Sequence, residues 1–469
     1  MFTSVKHVHL IGAGGIGVSA LGKWFLRRGV LVSGQDRVAS AVLDDLVKLG
    51  GVMAVADDSG LEKDVDLVIY SPAVTPEHPT RKEADARGVR SLSYPEALGE
   101  LTRGHKTIAV TGTNGKSTTT SMIGLMLEAA GLDPTVVVGS LVPGFVDGNL
   151  RSGNGSWFVV EACEYREHML LQHPTIGVIT NIEEDHLDYY RDINHIHEAM
   201  QKFANQSEVL VWNADDEMSG RLEGGGWREE VGGRRLEGGG GRISCGIETG
   251  EIRAVDRRVG AGEQSFVCLD GTDRLGEIHL QIPGVYNVQN ALAAIAAASK
   301  AGVPFEVCQK VLADYRGIWR RFERVGTFKG APIISDYGHH PTAVKGVVDA
   351  AREFFPGRRI VLCFQPHQHS RTKELRPQFA EALRAADIVI VPEIYKVAGR
   401  TEKEEREISS VDLVDDVRAL DENKNIRVAS DLARAERMLR DLVTEGDVVI
   451  AQGAGDIDTV ARNLVTSSF

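Results

Sequence analysis

One short stretch, Ile108 to Thr120, places the strongest constraint on how this chain folds. It reads Ile-Ala-Val-Thr-Gly-Thr-Asn-Gly-Lys-Ser-Thr-Thr-Thr, so residues typical of a buried strand run into two glycines, a lysine and several hydroxyl side chains. Residues 121–128 then continue with helical spacing. The stretch therefore predicts a strand, a tight loop and a helix N-terminus, which is the geometry that binds phosphate oxygens through backbone N–H groups.

The glycines and the lysine give this loop the chemistry of a nucleotide phosphate site. Gly112 and Gly115 allow backbone N–H groups to close around phosphate oxygens, and Lys116 can reach the β- and γ-phosphates. The hydroxyl of Ser117 would ligate Mg²⁺. The usual motif has a further glycine where this chain has Val110, so the match is to the shortened form Gly-x-x-Gly-Lys-Ser. A glycine-rich turn with a solvated lysine is the alternative, and it leaves the run of hydroxyl residues unexplained.

Length and charge restrict the remaining possibilities. A chain of 469 residues is too long for one hydrophobic core, so about two to four domains are expected. The net charge of −13 argues against a nucleic-acid scaffold, because a phosphate backbone recruits basic surface. No signal-peptide pattern and no stretch of about 18 apolar residues is present, which predicts a cytoplasmic protein without a membrane segment. The five cysteines lack Cys-x-x-Cys spacing and are predicted to be small buried residues.

A second glycine-rich loop follows the first predicted strand near the start of the chain. Gly12, Gly14 and Gly17, with Asp36 after a second strand, have the spacing of a Rossmann dinucleotide fingerprint. Taken alone, this pattern predicts an NAD-dependent oxidoreductase. The glycines only admit a pyrophosphate to a helix N-terminus, and the acid only binds ribose hydroxyls, so any nucleoside diphosphate satisfies the same chemistry.

The middle of the chain alternates predicted strands with helices, and two strands lead into groups that can ligate a cation. Glu161 ends the strand that begins at Ser156, and His186 follows a strand predicted from Ile176 to Ile182. Taken singly, these residues are explained as a solvated strand end and a surface histidine. Beside a phosphate loop they become candidate Mg²⁺ ligands, and the alternation predicts a parallel sheet with its site along the carboxyl edge.

Three further segments allow two interpretations each. The segment from Gly220 to Gly241 repeats Leu-Glu-Gly-Gly-Gly and is predicted to be a flexible or hairpin insertion at the surface. Asn287 and Asn290 lie in a predicted helix of small residues, where amides either cap the helix or read a base edge. Residues 316–324 carry four arginines, which either are solvated or form an anion clamp at the junction with a third unit.

The last part of the chain contains four predicted strands, most of which end in polar loops rich in glycine or histidine. Asp336, Tyr337 and His339 follow the first of these strands, and Arg371 lies in the loop after the second. We expect these loops to form one functional edge of the domain.

Six segments, taken together, are similar to the motifs of the Mur ligase family. They occur in the order and spacing of that family over nearly the full length of the chain, and within it they are most similar to the alanine-adding branch. The segments are Thr111–Thr118, Asn181–Asp188, Gly284–Ala291, Arg320–Phe322, Asp336–Thr342, and Gln365–His367 with Ser370–Thr372.

The resemblance implies an α/β fold with three domains. A Rossmann-like domain at residues 1–104 would bind UDP, and a central P-loop ATPase domain with a mostly parallel sheet at residues 105–324 would bind ATP. A second Rossmann-like domain at residues 325–469 would receive the amino acid. The first glycine fingerprint would then hold a UDP pyrophosphate in place of NAD.

The resemblance also assigns roles to individual residues. Catalytic roles would fall to Lys116, His186, His339 and Arg371. ATP would be bound by Gly112, Thr113, Asn114, Gly115, Lys116, Ser117, Thr118, Asn290, Arg321 and Asp336. Mg²⁺ would be ligated by Ser117, Glu161 and His186. The two other substrates would be bound by Gly14, Gly15, Ile16, Gly17, Asp36, Ser71 and Pro72 and by Tyr337, His339 and Arg371.

The implied reaction is ATP-dependent amide formation between the lactyl carboxylate of UDP-N-acetylmuramate and L-alanine, in peptidoglycan precursor synthesis. It would pass through an acyl phosphate and release ADP and phosphate, and the enzyme would be a monomer or a homodimer.

Several residues depart from the alanine-adding pattern, and two of them, Gln368 and His369, keep the amino acid open. Gln368 and His369 stand where that branch has arginine and tyrosine, and Cys163 and Tyr165 depart from its acidic segment. A relative that adds a different amino acid or a preformed tripeptide is therefore an alternative. An NAD-dependent oxidoreductase and a non-catalytic nucleotide-binding regulator are alternatives of other classes.

Overall fold

The computed structural model describes residues 2–187, 189–224, 230–231, 234–235, 241–396 and 407–466. It is a mixed α/β structure with three main sheets whose strands are mostly parallel. The chain divides into two compact units. The first contains Met1–Ala254, Cys268–Leu275 and Gln289–Val311, and the second contains Val255–Val267, Gly276–Val288 and Leu312–Phe469.

The first sheet has five parallel strands in the order β3-β2-β1-β4-β5. The strands are β1 (His7–Ile11), β2 (Leu31–Asp36), β3 (Val52–Val55), β4 (Leu67–Tyr70) and β5 (Arg90–Ser93). The helices are α1 (Ile16–Leu26), α2 (Ala41–Lys48), α3 (Pro79–Arg87) and α4 (Tyr94–Thr102). The strand order reverses between β1 and β4, which is where open parallel sheets bind ligands, and this confirms the predicted Rossmann-like fold.

The second sheet carries the phosphate loop on its central strand. Seven of its strands follow the order β14-β11-β10-β6-β9-β7-β8, and among these only the pair β7 and β8 is antiparallel. These strands are β6 (Lys106–Thr111), β7 (Thr135–Val137), β8 (Leu150–Arg151), β9 (Trp157–Glu161), β10 (Ile176–Ile179), β11 (Val209–Asn213) and β14 (Arg242–Gly246). The helices of this region are α5 (Lys116–Ala129), α6 (Ile193–Asn205) and α7 (Glu217–Gly220).

The glycine-rich segment between β11 and β14 contains a short antiparallel pair of strands, β12 (Glu230–Val231) and β13 (Arg234–Arg235). The sequence predicted a flexible or hairpin insertion at the surface here. Most of the residues concerned, 225–229, 232–233 and 236–240, lie outside the described residues. After β14 come β15 (Ile252–Gly260), β16 (Glu263–Asp270), β17 (Asp273–Leu280), α8 (Val285–Lys300) and α9 (Phe305–Asp314). Short 3₁₀ turns occur at Phe2–Ser4, Tyr165–Leu171 and Arg221–Gly224.

The third sheet has six strands in the order β18-β19-β23-β20-β21-β22, with β18 antiparallel at the edge. Its strands are β18 (Glu323–Phe328), β19 (Ala331–Asp336), β20 (Arg359–Phe364), β21 (Ile388–Val391), β22 (Asn425–Val428) and β23 (Asp447–Gln452). Its helices are α10 (Pro341–Phe354), α11 (His369–Glu374), α12 (Arg376–Leu383), α13 (Ser410–Leu420), α14 (Leu432–Leu442) and α15 (Asp458–Thr466).

Both faces of the third sheet are covered at its inner strands, which explains why β20, β21 and β23 are mostly apolar and buried. On β20, Ile360 and Leu362 belong to one hydrophobic cluster, whereas Val361 and Cys363 belong to another. Successive side chains of a strand point to opposite faces, so a strand buried on both faces reads as a continuous apolar run. Among the helices of the described ranges, none has both the length and the apolar composition that crossing a membrane requires.

Candidate active site

The phosphate loop adopts the conformation that its two glycines predict. Gly112 and Gly115 have φ angles of 128° and 84°, in the region that residues with a side chain rarely occupy. A Cβ atom on Gly112 would overlap Thr180 Oγ1, and one on Gly115 would overlap Asn290 Oδ1. Gly115 is the N-cap residue of α5, which begins at Lys116. The loop therefore presents backbone N–H groups at a helix N-terminus, as predicted.

The segment after β10 holds this loop in place. Asn114 N donates to Asn181 Oδ1 at 2.9 Å, and Thr113 N donates to Asn181 O at 3.0 Å. Glu183 N donates to Thr113 Oγ1 at 2.9 Å, and Thr180 Oγ1 donates to Asn114 O at 2.5 Å. Strand β10 ends at Ile179, three residues earlier than predicted. Thr180 N still donates to Thr111 O of β6 at 3.0 Å, but the backbone of Asn181 and Glu183 bonds to the phosphate loop instead of to a strand.

Lys116 lies within the loop and has an acidic partner that the sequence did not reveal. Its Nζ donates to Gly112 O at 2.5 Å, to Thr113 O at 3.0 Å and to Glu164 Oε1 at 2.9 Å. Burial opposes the charge of the lysine, but the carboxylate of Glu164 outweighs burial and raises the pKa of Lys116. Burial opposes the charge of Glu164 in the same way, and Lys116 lowers the pKa of Glu164 below its usual value. The two groups form an ion pair in which Glu164 is 5% exposed.

Glu164 also belongs to a group of three side chains that has the composition of a cation site. One ligand atom each from Glu164, Asp185 and His186 lies within 4.8 Å of the others. His186 Nε2 is 3.6 Å from Glu164 Oε1 and 3.8 Å from Asp185 Oδ2. Ser117 Oγ is buried, and no hydrogen-bond partner for it is found among the residues that the structure describes. The two carboxylates and the imidazole of this group fit a divalent cation such as Mg²⁺.

The structure brings His186 together with two acids that sequence reasoning did not select. The sequence pointed to Glu161, whose Oε2 accepts from Gly139 N at 2.8 Å and which is not part of the three-residue group. Glu164 and Asp185 were missed. The available signals were the position of Glu164 just beyond the end of β9 and of Asp185 directly before His186.

An unusual backbone turn follows Glu164. Two and three residues after it, Arg166 and Glu167 have φ angles of 52° and 57°, in the left-handed region. Tyr190 donates its hydroxyl to the carbonyl oxygen of Glu164 at 2.5 Å, and the rings of Tyr165 and His186 lie 4.8 Å apart. The tyrosines thus flank the acid and the histidine of the candidate cation site.

The cysteine prediction is correct for four residues and wrong for one. Cys245, Cys268, Cys308 and Cys363 are buried, but Cys163 is exposed, because it follows the end of β9 where the chain turns away from the sheet. Desolvation by nearby protein atoms and the carboxylate of Glu164 raise the pKa of the Cys163 thiol to about 12. The thiol is therefore protonated near neutral pH.

The glycine fingerprint of the first sheet forms a tight loop against Asp36. Gly14 N donates to Asp36 Oδ2 at 2.9 Å, and Gly15 is the N-cap residue of α1, which begins at Ile16. A Cβ atom on Gly17 would lie 2.6 Å from the ring of Tyr94.

The loop after β4 reaches the same edge of the first sheet. A Cβ atom on Gly12 would lie 2.9 Å from Ser71 Cβ, and Ser71 N donates to Ile11 O at 2.9 Å. Pro72 follows and is exposed. The residues that sequence assigned to a nucleotide sugar are thus brought together at one end of the sheet.

In the third sheet, Asp336 is a buried acid that organises the loop after β19. Its Oδ2 accepts from Phe322 N at 2.8 Å, and its Oδ1 accepts from Gly338 N at 2.7 Å and from Gln452 Nε2 at 3.1 Å. Burial raises the pKa of Asp336, and the charge of Arg321 opposes that rise. Arg321 lies 4.9 Å from the ring centroid of Tyr337.

A row of rings and one arginine lies beside this loop. The rings of His339 and His367 are 5.6 Å apart, and the ring of His367 stacks on that of Tyr395 at 5.4 Å. Arg371 Nη1 is 3.3 Å from His367 Nδ1, and Arg371 is buried. The predicted residues His339 and Arg371 therefore lie in one cluster of side chains. His367 and Tyr395, which the sequence did not select, belong to the same cluster. His367 stood in a recognised motif, whereas nothing in the sequence connected Tyr395 to it.

The two asparagines of α8 make different contacts. Asn287 Nδ2 donates to Pro283 O at 2.6 Å, whereas Asn290 Oδ1 accepts from Thr119 Oγ1 at 3.3 Å. The second contact places Asn290 against the helix that follows the phosphate loop.

Three family models match successive parts of the chain. They are described as the Mur ligase family catalytic domain at residues 7–106, the Mur ligase middle domain at residues 110–298, and the Mur ligase glutamate ligase domain at residues 320–455. A protein named UDP-N-acetylmuramate–L-alanine ligase from Clostridium novyi (strain NT) is 37% identical over 462 residues, which cover 97% of this chain and 96% of that protein.

Solved structures agree with these matches. The crystal structure of UDP-N-acetylmuramate-alanine ligase MurC from Thermotoga maritima is similar with a TM-score of 0.82 and 29% identity, over 98% of both chains. A murein peptide ligase from Psychrobacter arcticus 273-4 has a TM-score of 0.70 and 20% identity over 98% of both chains, and this likeness shows the fold alone. The motifs of the sequence and the α/β fold agree with these matches. Because the three family models cover most of the chain and a relative is 37% identical over nearly its whole length, the chain belongs to the Mur ligase family.

Proposed function

We propose that this chain is a cytoplasmic, ATP-dependent ligase that joins the lactyl carboxylate of UDP-N-acetylmuramate to L-alanine for peptidoglycan synthesis. The observation that carries the proposal is Lys116, which lies in a phosphate-type loop at a helix N-terminus and beside a group that could hold a divalent cation. Similarity over nearly the whole chain to proteins named for this reaction supports the choice of substrates. Family membership does not support the NAD-dependent oxidoreductase alternative.

The chemistry follows from the poor reactivity of a carboxylate. A carboxylate oxygen attacks the γ-phosphorus of ATP, the bond from that phosphorus to the bridging oxygen breaks, and ADP leaves. The resulting acyl phosphate has a good leaving group. The amine of the amino acid then attacks the acyl carbon, phosphate departs, and the amine loses a proton as the amide forms.

The phosphate loop would bind and orient ATP. Residues 112–118 would form the phosphate cradle, with the backbone N–H groups of residues 115–118 holding the phosphate oxygens, because those of Thr113 and Asn114 donate to Asn181. Lys116 would bind the β- and γ-phosphates. Ser117, Glu161 and His186 would hold Mg²⁺, with Glu164 and Asp185 added by their positions in the structure. When bound, Mg²⁺ neutralises charge that gathers on the transferring phosphoryl group.

The other substrates would be bound at the ends of the remaining two sheets. Residues 1–104 would hold the nucleotide sugar, residues 105–324 the ATP, and residues 325–469 the amino acid. Gly14, Gly15, Ile16, Gly17 and Asp36, with Ser71 and Pro72, would bind the UDP portion, because these residues converge at one edge of the first sheet.

The third sheet would supply the amino-acid pocket. Tyr337, His339 and Arg371 would line the pocket, and the guanidinium of Arg371 would pair with the carboxylate of the incoming amino acid. Asn290, Arg321 and Asp336 would contact the ATP. Asp336 is held by three hydrogen bonds and is thus rigidly placed for this role.

A phosphate-release assay tests the proposed reaction. With ATP, Mg²⁺ and UDP-N-acetylmuramate, we expect phosphate release to depend on an added amino acid and to be fastest with L-alanine. The assay is repeated with other single amino acids and with the tripeptide L-alanyl-γ-D-glutamyl-meso-diaminopimelate. Activity with the tripeptide alone would contradict the L-alanine assignment, and activity with a different single amino acid would replace it.

Changing Arg371 to lysine tests the amino-acid pocket. Lysine keeps the positive charge but loses the planar fork that pairs with a carboxylate, and a hydrogen bond to a charged group is worth about 1.5–3 kcal/mol. We therefore expect the KM for L-alanine to rise about 10- to 100-fold, with the KM for ATP unchanged. Arg376→Lys is the matched control, because Arg376 pairs with Asp416 away from the ring cluster. An unchanged KM for L-alanine in Arg371→Lys would exclude this role.

A further inference from the structure

A buried polar joint connects helix α1 of the first sheet with the residues that precede β8 of the second. Its centre is Asn149, which has no exposed surface. Asn149 Nδ2 donates to Ile16 O at 2.6 Å and to Ser19 Oγ at 2.9 Å, and Asn149 Oδ1 accepts from Lys23 Nζ at 2.9 Å. Each polar atom of this side chain therefore has a partner on the same helix, and the partners are spaced by three and four residues along one helical face.

Lys23 makes the joint unusual because its ammonium group is buried. The residue is 2% exposed, and burial lowers the pKa of Lys23 while the charges of Asp45 and Asp147 oppose that effect. Its Nζ also donates to Asp147 O at 2.8 Å. The carboxylate of Asp147 pairs with Arg27, the C-cap residue of α1, with nitrogen–oxygen distances of 2.9 and 2.6 Å. A buried charge requires fixed partners, so this face of α1 accepts only one arrangement against the segment from Asp147 to Asn149.

The joint is connected both to the glycine loop of the first sheet and to Glu161 at the end of β9. On one side, Ile16 is the first residue of α1, directly after the glycines that would hold the UDP pyrophosphate. On the other side, Val138 N donates to Asn149 O at 3.1 Å, and the next residue, Gly139, donates its N–H to Glu161 Oε2 at 2.8 Å. Hydrogen bonds therefore connect the start of α1, through Asn149 and the Val138–Gly139 segment, with the carboxylate at the end of β9.

We infer that Asn149 is a positioning residue that fixes the glycine loop of the first sheet relative to Glu161 and the phosphate loop. This role rests on the proposed function, because it assumes that the loop binds a nucleotide sugar. Asn149 does not touch the substrate in this scheme. It determines where the sugar carboxylate is presented, and small displacements of a bound reactant have large effects on affinity and rate.

The test is Asn149→Asp, which preserves shape and packing. Aspartate still accepts from Lys23, so the buried ammonium gains an ionic partner and the variant should fold. It has no N–H to donate to Ile16 O, and its carboxylate oxygen would face that carbonyl oxygen. We expect calorimetric titration of the intact protein to show the Kd for UDP-N-acetylmuramate raised about tenfold, with the Kd for a non-hydrolysable ATP analogue within about twofold of wild type. The KM for the nucleotide sugar should rise in parallel.

Arg27→Gln is the matched control. It breaks the partly exposed ion pair with Asp147 in the same contact but leaves the bond to Ile16 O, so it should lower Tm without changing either Kd. Unchanged affinity for the nucleotide sugar in Asn149→Asp, or equal weakening of both ligands, would overturn the positioning role alone. If wild-type protein bound the ATP analogue but no UDP-N-acetylmuramate, the proposed function and this role would both be overturned.

Discussion

Replacing Lys116 with methionine is expected to reduce phosphate release from ATP by about 10³-fold or more with all substrates present, because loss of a preorganised charge at a transferring phosphoryl group has effects of this order. Lys116 Nζ is held by two loop carbonyls and by Glu164, so its charge is fixed at the helix N-terminus before any substrate binds. Methionine fills similar volume without the charge. Lys106→Ala is the matched control, because Lys106 is an exposed residue at the start of the same strand, β6.

The fold of the Lys116 variant must be separated from its chemistry. Removing the lysine leaves the Glu164 carboxylate buried without its ionic partner, and breaking such a pair costs about 3–5 kcal/mol. The double variant Lys116→Met with Glu164→Gln removes both charges and should recover much of the lost Tm. We expect it to remain inactive. Normal turnover of ATP by the well-folded double variant would remove Lys116 from the proposed mechanism.

The local part of the site could be predicted from sequence because it depends on residues close together in the chain. Apolar spacing fixed β6 and α5, and glycines at positive φ allowed only a tight loop between them. The loops after β1 and β4 meet because these adjacent parallel strands end at the same edge, and Ser71 and Pro72 were assigned to this site only by the family resemblance.

The contacts that were missed are nonlocal. Glu164 reaches Lys116 across 48 residues of sequence, and it lies at the start of a turn in which Arg166 and Glu167 adopt left-handed backbone angles. No periodicity predicts such angles for residues with side chains. Asn149 and Ile16 are separated by 133 residues, and their bond depends on how two sheets pack. Sequence patterns therefore predicted the elements and the phosphate loop, whereas the partners of its lysine and of α1 were decided by tertiary packing.

Sequence and structure select different acids as ligands of the cation. The family resemblance selects Glu161, which accepts a hydrogen bond from Gly139 N. The geometry selects Glu164, which lies with Asp185 and His186 in a group compact enough to surround one ion. A carboxylate has about four acceptor positions, so Glu164 could hold Lys116 and still offer an oxygen to a cation. The two acids can be distinguished by how activity depends on Mg²⁺.

For Glu164→Gln we expect the Mg²⁺ concentration that gives half-maximal activity to rise about 10- to 100-fold, as is typical when a group supporting a metal site loses its charge. Glutamine keeps the shape and one carbonyl oxygen but not the negative charge that a hard cation prefers. Glu161→Gln is measured in parallel, and Glu184→Gln is the control, because Glu184 is exposed and lies next to Asp185 without belonging to the group. A rise for Glu161→Gln alone would assign the cation to the acid chosen by resemblance. A lower kcat for Glu164→Gln at every Mg²⁺ concentration, with an unchanged midpoint, would mean that Glu164 acts only by holding Lys116 in the loop.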